Sequence, residues 1–521
     1  MDAASGTSMK TFTFLGTSLD PASRRLVLGF ILVNAVVHLL LATRYGYHAD
    51  ELYFIECGRH LAFGYVDHAP MIPWLARAAE ELAGGPSLAM LRLPAIAASC
   101  GTLVAIALLT AKWGGGVRAQ LIALLSFLLA PAHLRLASML DIPVVEVFLC
   151  AAATYQARRA FERRRYVDWI VLGGILGLAL LTKHTVLLWI AGLFVGVLAT
   201  PQRRLFMTPG PWLAGAVAAL MFAPNVLWQL QHQYATVQFA ANLRRDVVLD
   251  HGRLLFVLGQ FLYFHPITPV VWGTGLVFGL RSDERVRPFA VQFAFLFAAW
   301  LVLGGKPYYL ASAYPAVLAA GAIALERKLE TMRFAFRALS VSLGGLGLTP
   351  ALLTLPIFDV RTLDRAIGRV LGWLVPPMAL THDLHGELGW DVHVRAVESV
   401  LTSLSPSERA TAAVLTGSYA QAAAFNVLRP EAEPRAISGH MNYYLWGSEP
   451  GRGQVLVAYG LPRAQLSRHY RSVEERARID APLARPWDTD LPVYLCREPF
   501  SSLESFWPEL QRFDHRLVPR D

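Results

Sequence analysis

Apolar residues recur through the first two thirds of this chain in blocks of about 16 to 25, the length at which a helix crosses a bilayer. A chain with such blocks has few ways to fold, because backbone groups in lipid must be satisfied within each segment. The blocks lie at approximately 26–43, 89–111, 118–134, 142–157, 167–182, 184–200, 211–228, 254–280, 288–304, 308–325 and 338–355, which predicts eleven spans. The eighth contains Pro266 and Pro269. It reads as a surface helix running into a shorter spanning one, because proline breaks the helical ladder. Composition agrees: 55% of the 521 residues are hydrophobic and 16% charged, against about 25% charged in soluble domains. The expected fold class is a polytopic α-helical membrane protein with a small C-terminal extracytoplasmic α/β domain. Residues 1–25 form a cytoplasmic N-terminal segment, 26–355 the transmembrane domain and 356–521 the C-terminal domain.

The net charge of +9 does not mark a nucleic-acid binder, because the excess sits in short loops. Arg24 and Arg25 precede the first span. Alternate loops then carry Lys112 and Arg118; Arg158, Arg159, Arg163, Arg164 and Arg165; Arg203 and Arg204; Arg281, Arg285 and Arg287; and Arg327, Lys328, Arg333 and Arg337. Placing all of these in the cytoplasm satisfies the positive-inside rule. Residues 356–521 then fall on the opposite side, the periplasm in a bacterium, with the spans in the inner membrane. Cys57, Cys100, Cys150 and Cys496 are widely separated and show neither metal-ligand spacing nor a disulfide framework. No cleavage site follows a short apolar core, so the first block reads as an uncleaved anchor.

In the tail, strand-like runs at Ala412–Leu415, Val455–Val457 and Val493–Leu495 alternate with helical stretches at Val394–Leu404 and Tyr419–Val427. Leu415-Thr416-Gly417-Ser418-Tyr419 reads as strand, turn and helix start, a structural turn ahead of an anion site.

On this topology Asp50, Glu51, Asp67, His68, Asp141, Lys183 and Lys306 gather at the outer face. Acids that close to lipid are costly to desolvate and serve ion passage, proton transfer or chemistry. Asp50 is the candidate proton acceptor. Glu51 either orients it or is solvated. Asp141 is a second acid, or an N-cap for the helix that starts at Ile142. Lys183 and Lys306, with Arg244 and Arg245, offer the positive charge a lipid phosphate needs, although either lysine alone reads as snorkelling to headgroups. His68, beside Asp67, is a further candidate grip on phosphate. Tyr53, Tyr308 and Tyr309 are expected to line the substrate cavity. Asp67 with a distant histidine such as His251 leaves a divalent metal open, and no other cofactor is expected. Two outward loops, 44–88 and 229–253, are long, and the first reads as short amphipathic helices in the interface plane. A transporter would place polar residues near the midplane on broken helices. Here only His38 and Glu146 were read as in-span candidates without an obvious partner. A transporter or flippase for a lipid-linked saccharide is the alternative to an enzyme.

The series Asp50-Glu51-Leu52-Tyr53, Gly64-Tyr65-Val66-Asp67-His68-Ala69-Pro70, Leu140-Asp141, Leu181-Thr182-Lys183-His184 and Gly305-Lys306-Pro307-Tyr308-Tyr309-Leu310-Ala311-Ser312-Ala313-Tyr314-Pro315 resembles bacterial members of the protein O-mannosyltransferase superfamily. These are glycosyltransferase family 39-type enzymes of the GT-C fold. Aminoarabinose lipid A transferases and lipid A galacturonosyltransferases share the architecture. The resemblance covers roughly residues 25–330, and the tail through Ser438-Gly439-His440-Met441-Asn442-Tyr443-Tyr444. It implies transfer of a sugar, with inversion, from a polyprenyl-phosphate carrier to lipid A, a surface glycan or a secreted protein. It also implies that Asp50 is the acid of the first outer loop and Asp141 that of the second, that His68 stands at the carrier-phosphate position, and that Lys306 is the lysine of the late outer loop. Ala69-Pro70 replaces the family's two prolines, and the long lumenal insert of the eukaryotic enzymes is absent, which weakens a protein acceptor.

Overall fold

The computed structural model describes residues 13–14, 17–250, 252–373, 376–431 and 433–516. His251, the suggested metal partner of Asp67, lies outside the described residues. After a short antiparallel pairing of β1 (Thr13–Phe14) with β2 (Thr17–Ser18), the chain enters its helical part. In order these helices are α1 (Pro21–Leu41), α2 (Ala49–Arg59), α3 (Met71–Ala83), α4 (Leu88–Lys112), α5 (Val117–Leu128), α6 (Pro131–Leu136), α7 (Ile142–Arg163), α8 (Tyr166–Leu180), α9 (Val186–Leu198), α10 (Pro209–Gln231), α11 (Ala235–Asp250), α12 (Gly252–Leu262), α13 (Thr268–Arg281), α14 (Arg287–Leu303), α15 (Tyr314–Lys328) and α16 (Arg333–Thr354).

Every predicted block is helical. Among the described residues, α1, α4, α10, α16 and the run Pro307–Lys328 are each long and apolar enough to cross a membrane, and α9 with its bent continuation Pro201–Met207 makes a sixth if taken as one span. Tyr166–Leu180, Arg287–Leu303, Val117–Leu128 and Gly252–Leu262 are apolar but shorter. The expected break in the eighth block is present: α12 and α13 are separate helices around Pro266. In their most apolar windows, Pro307–Lys328 is 83% buried and α4 67%, whereas α1 and α16 are 17% buried. The first two are therefore the bundle's centre, and the last two turn Leu28, Leu32, Leu40, Val341 and Leu346 outward as a lipid-facing rim. The central packing depends on small residues. A Cβ on Gly275 of α13 would sit 1.9 Å from the Val317 carbonyl oxygen, and one on Gly321 1.8 Å from that of Val271. Such closeness is how helices gain contact in lipid, where no hydrophobic drive pulls them together.

The tail folds as α17 (Val360–Leu371), α18 (Pro377–His385), α19 (Trp390–Thr402), α20 (Pro406–Thr411), β3 (Ala412–Thr416), α21 (Tyr419–Leu428), β4 (Ala436–Ser438), β5 (Val455–Tyr459), β6 (Tyr470–Ile479) and β7 (Leu491–Pro499). The sheet order is β4-β3-β5-β7-β6. β4, β3 and β5 run parallel, and β7 pairs antiparallel with both β5 and β6. All three predicted strands are present. β4 and β6 were not predicted. β4 has only three residues, and β6 is an edge strand whose charges hide its alternation.

The loop 44–88 does not lie open as expected for short helices in an interface plane. α2 is buried on nearly all sides because α21 and the segment after β4 cover it. Asn442 accepts from the Val66 N–H at 2.9 Å, and its own N–H donates to the Tyr53 hydroxyl at 3.2 Å. The Tyr443 hydroxyl and the Asn426 amide both donate to Glu56, at 3.0 and 3.1 Å. The tail stretch Ser438–Tyr444 thus clamps the first loop.

Candidate active site

The site is built at the N-terminus of α2. His48 is its N-cap: its Nδ1 accepts the Asp50 N–H at 3.2 Å, while Glu51 accepts the His48 N–H at 2.9 Å. This reciprocal cap fixes the first turn and sets Asp50 at the positive end of the helix dipole. Asp50 keeps 36% of its side chain exposed. Its Oδ1 accepts from the Tyr419 hydroxyl at 2.7 Å, so the soluble domain reaches directly into the site.

Glu51 is neither solvated nor free to move protons. It is fully buried and takes the Arg92 guanidinium in a fork, at 2.9 and 2.7 Å. Burial pushes its carboxyl up, but Arg92 and two backbone N–H groups outweigh that and hold it below the usual range. One of those N–H groups belongs to Leu140, at 3.0 Å. Glu51 therefore positions the turn before α7, and with it Asp141.

Asp141 caps α7, its Oδ1 accepting the Ile142 N–H at 2.6 Å. Burial and then the Asp50 charge push its carboxyl up to about 6. The two acids, ninety-one residues apart in sequence, are thus close enough for the Asp50 charge to act on Asp141. Lys183 lies close by: it pairs with Glu146 at 3.2 Å and sits 4.3 Å from the Tyr309 ring centre and 5.4 Å from that of Tyr308. Glu146, read from sequence as unpartnered, has this lysine and Thr185 as partners. Lys306 is half-buried at the start of the turn Pro307–Ala313 and, among the described residues, has no side-chain partner.

Two expected phosphate contacts lie elsewhere. His68 is 1% exposed, is enclosed by the rings of Tyr53, Phe54 and Tyr65, and is bonded to the Ala69 carbonyl at 3.0 Å. It buttresses Asp67 from behind, at 3.7 Å, with no exposed atom for a carrier phosphate. Arg244 and Arg245 project from α11, and Arg245 lines a cleft whose walls include none of Asp50, Lys183 or Lys306. Tyr53 stacks on Tyr419 at 4.4 Å and donates to Asp67 at 3.2 Å. Among the described residues no group of three or more His, Cys, Asp or Glu side chains has metal-binding geometry.

Sequence reading missed the charges that hold this arrangement. Arg92 also bonds the Ala42 and Gly46 carbonyls and Glu387, the last at 3.0 Å. Arg135 meets Glu387 at 2.6 Å and also pairs with Asp383. A signal did exist: Arg92 lies inside a predicted span, where an ionisable group marks function by default.

The helical architecture matches solved structures. ArnT from Cupriavidus metallidurans bound to undecaprenyl phosphate aligns with 90% of this chain and 97% of its own, at a TM-score of 0.56 and 16% identity. Its apo state aligns with 91% and 98%, at the same TM-score and identity. Residues 67–228 match the family described as dolichyl-phosphate-mannose-protein mannosyltransferase. The fold is the GT-C membrane fold of these structures. The chain is 29% identical over 270 residues to the lipid A galacturonosyltransferase RgtD of Rhizobium johnstonii. That match takes in 50% of this chain, and it spans only about half of the relative, 56% of its length. The GT-C fold makes this a multi-pass membrane protein, as the sequence predicted.

Proposed function

We propose that this protein is an inverting glycosyltransferase that moves a monosaccharide from a polyprenyl-phosphate carrier to a hydroxyl of lipid A or a related surface lipid, at the outer face of the bacterial inner membrane. The observation that carries this reading is the convergence of Asp50 and Asp141, from separate loops, with Lys183 beside Tyr308 and Tyr309. In the reaction the acceptor oxygen bonds to the anomeric carbon as the carbon–phosphate oxygen bond breaks. The electron pair leaves on the carrier phosphate, and the hydroxyl proton goes to Asp50. The likeness to RgtD and to ArnT supports a lipid-linked donor and a lipid acceptor. The test is sugar transfer in membranes supplied with a polyprenyl-phosphate sugar. No transfer to any lipid, glycan or protein acceptor from wild-type membranes would return the transporter reading.

Among the described residues Lys306 has no side-chain partner, which leaves its ammonium available to the carrier phosphate. Lys306→Ala should weaken donor use about 10- to 150-fold, the loss of one charge-assisted contact worth roughly 1.5–3 kcal/mol. An unchanged donor dependence at equal protein level would assign it to headgroup snorkelling.

The carboxylate pair sets a pH dependence. Asp141 takes up a proton near pH 6, so transfer should fall as pH drops through about 6, where the pair first loses charge. Asp141→Asn removes the group that takes up this proton, and the acidic limb near pH 6 should disappear from the rate profile. A limb that stays in place would detach Asp141 from the reacting group.

Orientation follows from the same reading. Reporter fusions at Arg361 and Arg163 should give opposite-side signals, with Arg361 extracytoplasmic. Same-side signals would remove the outer-face placement.

A further inference from the structure

A second cleft, of about 690 Å³, lies between α11 and the soluble domain, within the roughly 300–1,000 Å³ of ligand sites. Its floor is the carboxyl end of the parallel strands, Leu415 to Gly417 after β3 and Gly439-His440 after β4, with Leu461 to Arg468 after β5 as one wall. The chain leaves β3 toward β4 on one side, whereas from β5 it runs on toward β7 and β6 on the other. Open α/β sheets bind ligands at such a switch point. The floor is bare backbone because it must be. A Cβ on Gly417 would lie 1.8 Å from the Gly460 carbonyl oxygen, and one on Gly439 2.0 Å from that of Leu510.

The charges in the cleft are unevenly engaged. Of its acids, Asp514 meets Arg512 at 3.5 Å, and Glu509 lies 3.5 Å from His469, an imidazole whose pKa burial lowers. Arg512 is committed to the fold through the Gly417 carbonyl at 2.8 Å, with its Nε left unbonded. Arg245, on the α11 wall, has among the described residues a long contact to Asn242 at 3.4 Å. Arg468, on the opposite wall, has no side-chain partner among the described residues. Two unneutralised guanidinium groups therefore face one space from two domains, and a guanidinium fork matches phosphate and carboxylate oxygens. The remaining lining offers the Asn242 and Gln465 amides and, His440 apart, no aromatic ring on which a base would stack.

The geometry points to a binding site for an oxyanion-bearing saccharide, a sugar that carries phosphate or carboxylate. Its role as the acceptor's headgroup rests on the glycosyltransferase reading; its binding does not. The connection to the reacting acid is short. His440 lines the cleft, takes the Tyr419 N–H on Nδ1 at 3.4 Å and donates from Nε2 to the Asp514 carbonyl at 2.7 Å. The hydroxyl of that same Tyr419 holds Asp50. The cleft is thus joined to Asp50 through His440 and Tyr419.

The test is titration calorimetry on the full chain in lipid nanodiscs without donor. Three probes are used: a glucosamine disaccharide bisphosphate, a uronic acid disaccharide and the neutral glucosamine disaccharide. At least one anionic probe should bind about 10-fold or more tightly than the neutral one, and which one separates a phosphate source from a carboxylate source. Arg245→Gln with Arg468→Gln should lower that affinity about 10-fold or more. Both side chains are exposed, so the melting temperature should not change. Asp50→Asn should bind as wild type does. Equal affinity for the neutral probe, no binding of either anionic probe, or indifference to the double variant would overturn the assignment. Binding that persists in a protein with no transferase activity would keep this site and remove the function proposed above. Transfer without such binding would do the reverse.

Discussion

Asp50→Asn is expected to lower sugar transfer about 100- to 10,000-fold, the usual cost of losing a general base. The substitution keeps size and one oxygen, so the amide still accepts from the Tyr419 hydroxyl now 2.7 Å from Oδ1. What it loses is a site for the acceptor's proton. Asp50 is the acid suited to that role by exposure and by partners. It is open to solvent on one side, it sits at the positive end of α2, and no arginine or lysine is paired with it. Glu51 is a poor control, because Glu51→Gln would disturb the Arg92 fork and the Leu140 N–H, and hence the fold. Asp67→Asn is a better one, since Asp67 bonds Tyr53 behind the site. The assay is transfer at matched protein level in membranes supplied with polyprenyl-phosphate sugar. A variant within a few-fold of wild type would remove Asp50 as the base.

The helices were legible because hydropathy is a local property. Each apolar block names its own helix, and Pro266 marked the break between α12 and α13. The clustering of Asp50, Asp141 and Lys183 was legible at one remove, since basic loops assign sides and the sides bring distant loops together. Partners were not legible. Glu51 stands next to Asp50 in sequence, yet one is saturated and the other open, because α2 turns successive residues to different surroundings. His68 looked like a phosphate ligand from its neighbour Asp67, but three aromatic rings from the same loop close over it. Tyr419 reaches Asp50 across 369 residues, and only the docking of α21 on α2 reveals it. Ion pairs and interdomain contacts are properties of the folded chain, and no periodicity encodes them.

Arg92→Ala is expected to cost about 3–5 kcal/mol of stability, the range for removing one partner of a buried ion pair. Arg92 is 1% exposed and bonds two carboxylates, Glu51 and Glu387, that have no exposed surface of their own. Without it both would be left desolvated, with Arg135 alone answering Glu387. The loss is a large part of the roughly 5–15 kcal/mol that holds a typical domain together. Its effect reaches beyond one contact, because Glu387 belongs to the C-terminal domain and Glu51 fixes both the α2 cap and the Leu140 backbone. Arg92→Lys should recover only part of the loss, since an ammonium cannot reproduce the fork to Glu51 while also holding the Ala42 and Gly46 carbonyls. The measurement is thermal unfolding of the purified full chain, together with its steady-state level in membranes. Both should fall in the order wild type, lysine, alanine. Transfer per folded molecule should fall as well, because Asp50 and Asp141 are set by the residues Arg92 holds. An alanine variant as stable as wild type would mean that the buried carboxylates find protons or water in place of the arginine, and the link between the membrane bundle and the soluble domain would have to rest on the contacts of Asn442 and Tyr443 instead.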